Sequence, residues 1–185
     1  MKRILTLAVA LGLAFASAAP AAELAGVTMP DTDTIEGKTL KLNGVGLRKK
    51  AIFKVYVAGL YLETPSKDAG AVLASSQTKS MRLHILRSLK GSKISEAIEE
   101  GFERNSKSEL PKLKPRLDKL AAMIPDVEEG DEIVMSWIPD KGTKVTVRGT
   151  DRGMIEGRDF ADALLAVWLG PVPVQEDLKT ALLGG

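Results

Sequence analysis

Two periodicities divide the chain. Polar and apolar residues alternate, with the period of a half-buried strand, through 39–42 (TLKL), 51–62 (AIFKVYVAGLYL), 79–86, 132–138 and 143–148. Within 51–62, Phe53, Val55 and Val57 share one face and Lys54 and Tyr56 the other. Within 79–86, Met81, Leu83 and Ile85 oppose Arg82 and His84. Helical spacing of three and four recurs in Ile94, Ala97, Ile98 and Phe102, behind a candidate cap at Ser92. It recurs again in Leu110, Leu113, Leu117, Leu120, Ala121 and Ile124, where Pro115 predicts a kink or two pieces. A third stripe, Phe160, Ala163, Leu164, Val167 and Trp168, precedes a Gly170-Pro-Val-Pro173 break and a last helix over 175–183. A short helix is expected over 67–74.

Turns are expected at Asn43-Gly-Val-Gly46, at Pro139-Asp-Lys-Gly142 and at 149–153, the last leading into a short strand around Met154-Ile155. Residues 24–37, with Pro30, read as irregular. Strands in hairpin succession, with helices grouped between and after them, predict an α+β domain: an antiparallel sheet covered by helices on one face.

The N-terminus stands apart from this pattern. Lys2 and Arg3 precede a mostly apolar run of 13 residues, 4–16, and a small-residue stretch, Ser17-Ala-Ala-Pro-Ala-Ala22, before the first acid, Glu23. That order predicts a secretory signal over 1–21, cut after Ala21 or at the competing Ala16-Ser-Ala18 site. The run is short of the ~18 apolar residues that suggest a bilayer span, and no later segment approaches that length, so no transmembrane segment is expected after signal removal. The mature chain, a single domain over 22–185, is expected to be periplasmic or secreted.

Charge and composition then exclude several chemistries. Residues 1–21 hold two of the 26 basic residues and none of the 24 acids, so the remainder carries 24 of each. A formally neutral domain with no basic stripe is not expected to bind nucleic acid. The absence of cysteine excludes disulfides, thiolate catalysis and cysteine-ligated metals, and a lone histidine, His84, leaves little for a transition metal. No metal or cofactor is expected. Asp31-Thr-Asp33 resembles the start of a calcium loop, but Glu36 stands where that loop needs glycine. Gly44-Val-Gly46 opens a strand, not a helix that could face a phosphate. His84 reads as an exposed strand residue, and 128–132 as a charged turn.

Arg48 and Tyr56 are the remaining candidates. On spacing alone they read as a surface arginine and a packed tyrosine. The stretch GVGLRKKAIFKVYVAGLYLE (44–63) and the ending DFADALLAVWLGPVPVQEDLKTALLG (159–184), however, resemble the chalcone isomerase-like family, and within it the bacterial branch that carries signal peptides. The resemblance implies an open-faced β-sandwich with a cleft between sheet and helices. It also implies that Arg48 and Tyr56 match the pair that holds a ligand carboxylate in the fatty-acid-binding members. A guanidinium pairs with a carboxylate through charge-assisted bonds, and a phenol adds a third donor. Ile94, Ile98, Phe102, Leu164 and Trp168 would then wall the apolar tail, although core packing explains the same stripes.

The resemblance also bears on catalysis. The plant isomerases carry a tyrosine at the opening of the helix after the central strand, and an asparagine seven residues later. Ile94 and Gly101 occupy those places here, and Tyr56 stands at the enzymes' strand threonine. The expectation is a non-catalytic protein, with no catalytic residues, that binds a fatty acid or similar hydrophobic carboxylate. Two alternatives stand beside it: an isomerase or lyase acting through Arg48, and an envelope interaction module without a ligand.

Overall fold

The computed structural model describes residues 21–185; the segment 1–20, which contains nearly all of the expected signal, lies outside the described residues. Seven strands form one antiparallel meander: β3 (Thr32–Ile35), β4 (Lys38–Lys50), β5 (Phe53–Leu62), β6 (Lys79–Ile85), β7 (Glu132–Ile138), β8 (Gly142–Val147) and β9 (Thr150–Ile155) pair in chain order. Ahead of them, β1 (Ala21–Leu24) and β2 (Val27–Pro30) form a separate hairpin. Five helices are inserted: α1 (Ala69–Ala74) after β5, α2 (Gly91–Asn105) and α3 (Leu110–Met123) after β6, and α4 (Arg158–Leu169) and α5 (Glu176–Leu182) after β9.

The period-two pattern sets which face meets the helices. Ala58, Leu60 and Leu62 of β5, Met81, Leu83 and Ile85 of β6, and Ile133 and Met135 of β7 join Ile98, Phe102, Phe160, Leu164 and Trp168 in one core. The other face is not bare. Val27 and Met29 of the N-terminal hairpin pack on Val57, with Leu42, Val45 and Leu47 beside them. Arg82 reaches Asp33 at 2.6 Å and Glu132 at 3.2 Å, and its guanidinium lies 5.7 Å over the Tyr61 ring. No helix among the described residues is long and apolar enough to cross a membrane.

Four local expectations are corrected, besides the turn expected at 149–153, which is confined to Arg148-Gly149 because β9 already begins at Thr150. Residues 24–37 are strands, not irregular chain, in pieces too short and too rich in Thr, Asp and Pro to show a period. Pro115 does not divide α3 into two pieces. It lies in the exposed face near the N-terminal end, where the Pro111 carbonyl it leaves unbonded can meet water. Ser92 is not the cap of α2; the helix starts at Gly91, whose N–H donates to Asp126 Oδ1 at 3.0 Å from across the loop.

The fourth concerns Asn43–Gly46, which is strand rather than turn. A register shift between Leu42 and Gly44 marks a bulge there, and α5 lies directly on the strand. A Cβ on Gly44 would come within 2.6 Å of the Leu182 carbonyl oxygen, and one on Gly46 within 2.5 Å of Leu178 Cδ1. These glycines serve close approach, not turning. Asn43 secures the bulge by donating to Leu182 O (2.8 Å) and Ser66 O (3.0 Å) and accepting from Ser66 N (2.7 Å).

Candidate ligand-binding site

The β4–β5 hairpin turns through only two residues, Ala51 and Ile52, so Lys50 pairs with Phe53 and Arg48 comes opposite Tyr56. A second register shift falls between Arg48 and Lys49, leaving backbone groups that the strand ladder does not use. Gln175, just before α5, takes them up. Its Nε2 donates to Leu47 O at 3.2 Å, and its Oε1 accepts from Lys49 N at 2.9 Å. The same Oε1 accepts from Arg48 Nη1 at 3.2 Å, and Nη1 also donates to Lys49 O. Arg48 is thereby oriented by its neighbours while no carboxylate among the described residues pairs with it.

Tyr56 projects from the helix-facing side of β5. Its Oη accepts a 3.0 Å hydrogen bond from Trp168 Nε1 on α4. Burial pushes the phenol above the ordinary tyrosine value, opposed by the Trp168 bond and by the nearby Arg48 guanidinium. The phenol therefore stays protonated at neutral pH. No described residue accepts its proton, since Trp168 and Arg48 are themselves donors. Three donors converge with no anion among them.

These groups border a cavity of about 340 Å³ between the sheet and helices α2 and α4. Its wall is mostly apolar: Val55, Leu83, Ile85, Leu89 and Ile133 from the sheet side, Ile94, Ala97 and Ile98 from α2, and Val167 and Trp168 from α4. Lys50, Arg87, Lys93, Glu100 and Arg104 add charge to its lining. Glu100 is bonded to Arg104 at 3.2 Å and Lys93 to Glu96 at 2.7 Å.

Of the residues singled out from the sequence, Arg48, Tyr56, Ile94, Ile98 and Trp168 line this one cavity. Phe102 and Leu164 do not. Phe102 is fully buried against Phe160, with ring centroids 5.5 Å apart, and Leu164 lies deeper under β6 and β7 beside Met81 and Met135. Both sit on the stripes that face the core, but helical periodicity does not say where along a stripe packing stops and a cavity starts. Gly101 also borders the cavity, where a Cβ would come within 2.8 Å of both Val167 methyls, so it permits α2 and α4 to meet. Gln175 and Arg87 were not legible as site residues. Gln175 stands within the 159–184 ending, but it lies 127 positions from Arg48 and nothing in that ending ties it to β4; the only sign of Arg87 was its place just past the end of a strand.

Comparison with known proteins places the fold and the family. No curated protein matches the chain by sequence. Among solved structures, a fatty-acid binding protein from Arabidopsis thaliana shares the fold, with a TM-score of 0.65 over 85% of this chain and 92% of that one, at 17% identity. The curled antiparallel sheet with its inserted helices is thus a chalcone isomerase-like fold. The profile of the chalcone isomerase-like family matches residues 21–184, nearly the whole described chain, and the protein belongs to that family.

Proposed function

We propose that this protein binds a fatty acid or similar amphipathic carboxylate without transforming it. The observation that carries the reading is the donor cluster at the cavity wall: the Arg48 guanidinium, oriented by Gln175, beside a half-buried, protonated Tyr56 whose hydrogen has no acceptor. A carboxylate completes that set, taking charge-assisted bonds from the guanidinium and a further bond from the phenol. The apolar wall suits the tail, and a volume of about 340 Å³ falls in the range of small-molecule sites. The family and the shared fold of a plant fatty-acid binding protein agree with this reading.

Ile94 and Gly101 border the cavity with neither hydroxyl nor amide to orient a phenolate substrate, which argues against the isomerase alternative. The cavity beside Tyr56 argues against a closed interaction module. The signal-like order of residues 1–21 supports export to the periplasm or beyond, and the N-terminal mass of protein recovered from cell fractions tests that assignment.

The binding test is native mass spectrometry of protein purified without detergent, followed by titration with dodecanoate. Arg48→Ala is expected to weaken dodecanoate binding by ~1.5–3 kcal/mol, roughly 10- to 150-fold. Unchanged affinity in that variant overturns the site assignment. A wild-type protein that takes up no acid from a panel of chain lengths overturns the function.

A further inference from the structure

The tip of the β4–β5 hairpin departs from the other two-residue hairpin turns: Ala25, Glu36 and Arg148 also have positive φ, but each is followed by a positive-φ glycine, whereas Ala51 is followed by Ile52. Ala51, the first residue of its two-residue loop, has φ of 52°, the left-handed region in which such loops place Gly, Asn or Asp. Ile52 is 89% exposed and Phe53 52%, and only Val172 joins them as an exposed large hydrophobic residue among the described residues. A glycine at 51 with a polar residue at 52 would close the same hairpin with less strain and without the exposed isoleucine. The departure gains nothing for folding, which marks the tip as a place to look for function.

The surroundings of the tip are cationic. Lys49, Lys50 and Lys54 are exposed on its two strands, and the Arg87 guanidinium lies 4.4 Å over the Phe53 ring. None of these four is in an ion pair among the described residues, whereas nearby Lys90 and Lys93 are both paired. Between Glu36 and Glu63 the chain carries six basic residues and no acid. The tip is also continuous with the cavity: Lys50, Phe53 and Arg87 belong to its lining.

We propose that the β4–β5 tip docks this protein on an anionic lipid bilayer. Ile52 and Phe53 enter the boundary between headgroups and acyl chains, while Lys49, Lys50, Lys54 and Arg87 meet the lipid phosphates. Docked this way, the cavity opens toward the membrane, and an acyl chain passes between bilayer and protein without crossing bulk water. This rests on the reading of the cavity as a carboxylate site. An acidic protein surface would satisfy the lysines equally. However, two apolar side chains on a narrow two-residue loop offer little of the ~800 Å² per partner that a stable protein interface needs. A bilayer accepts a point insertion.

The test is flotation of the full chain with phosphatidylglycerol–phosphatidylcholine vesicles and with pure phosphatidylcholine vesicles. Dodecanoate affinity is measured in parallel on the same samples. Residues 1–20 are common to every variant, so differences report the tip. Binding is expected only to the anionic vesicles, falling with added salt, and weakening about tenfold or more in Ile52→Asp and in Lys54→Glu. Dodecanoate affinity is expected to stay within about twofold in both, since neither variant alters the cavity wall. Equal vesicle affinity in wild type and Ile52→Asp, or binding indifferent to phosphatidylglycerol, overturns the docking proposal and leaves the ligand reading standing. Vesicle binding that behaves as expected, in a protein that takes up no dodecanoate, overturns the ligand reading instead.

Discussion

Tyr56→Phe separates what the phenol does for the fold from what it does for a ligand. Without a ligand, Tyr56 Oη is the acceptor for Trp168 Nε1 at 3.0 Å, and Trp168 is almost fully buried. Deleting the oxygen strands a buried indole N–H, a loss of about 1–3 kcal/mol. Two features of the site pull the figure to the low end. The cavity beside the indole can admit water, and the deletion also removes a hydroxyl proton that had no acceptor. We expect a net destabilisation of ~1 kcal/mol, or about 2–4 °C in Tm for a domain of this size.

Ligand binding should suffer more, because the lost donor faces a charge. A charge-assisted bond of ~1.5–3 kcal/mol corresponds to roughly 10- to 150-fold in Kd. Trp168→Phe is the contrast. It removes a donor bonded to Tyr56 and leaves both Arg48 and the phenol to hold a carboxylate, so affinity should fall less than in Tyr56→Phe. Urea denaturation of the ligand-free proteins and calorimetric titration with dodecanoate measure the two effects. A Tyr56→Phe protein with affinity within twofold of wild type, or with stability lost as heavily as affinity, refutes the reasoning that the phenol's proton is held for an anion.

The chain's two tyrosines should both titrate abnormally: burial raises Tyr56 and pushes Tyr61 up to about 12, so the 295 nm absorbance of the folded protein should stay flat past pH 10. Unfolded tyrosine ionises near 10, so the stability held by Tyr61 is intact below that pH and is lost as pH rises from 10 toward 12, and phenolate absorbance should climb together with unfolding. Asp159 follows the opposite sign. Its bidentate pairing with Arg116, at 2.7 and 2.8 Å, holds its carboxyl well below the usual aspartate range. The contribution is therefore present above about pH 4 and fades as pH falls further, and Asp159→Asn should flatten the acid limb of the urea midpoint. Gly44→Ala should displace α5 from β4 and lower stability by ~2–3 kcal/mol by urea denaturation, since its Cβ would meet carbonyl oxygens that cannot step aside.

Which parts of this molecule were readable from its residues follows from the range of the signals. The alternation at Met81, Leu83 and Ile85 survives intact because β6 is buried by helices on one side and carries Arg82 and His84 on the other. The resemblance proposed Arg48 and Tyr56, and the two-residue turn brings them opposite each other across β4 and β5. The glycines at 44 and 46 misled, because a glycine needed for a helix to approach looks the same as a glycine needed for a turn. Phe102 and Leu164 share stripes with cavity residues, and only packing distinguishes them. Gln175 sits inside the ending that carries the resemblance, yet its role was illegible, since its bonds to β4 follow from tertiary placement alone.

That same bond has a consequence for when the site comes into being. Arg48 is made early in synthesis, but the amide that orients it is added 127 residues later, followed by the helix that covers Gly44 and Gly46. A growing chain can pair β4 with β5 long before it can aim the guanidinium. Contacts of such long sequence separation form late and slowly in folding. On the proposed carboxylate reading, the site is therefore completed only near the end of the chain, and a chain stopped short of residue 175 would have all nine strands while lacking the amide that aims Arg48.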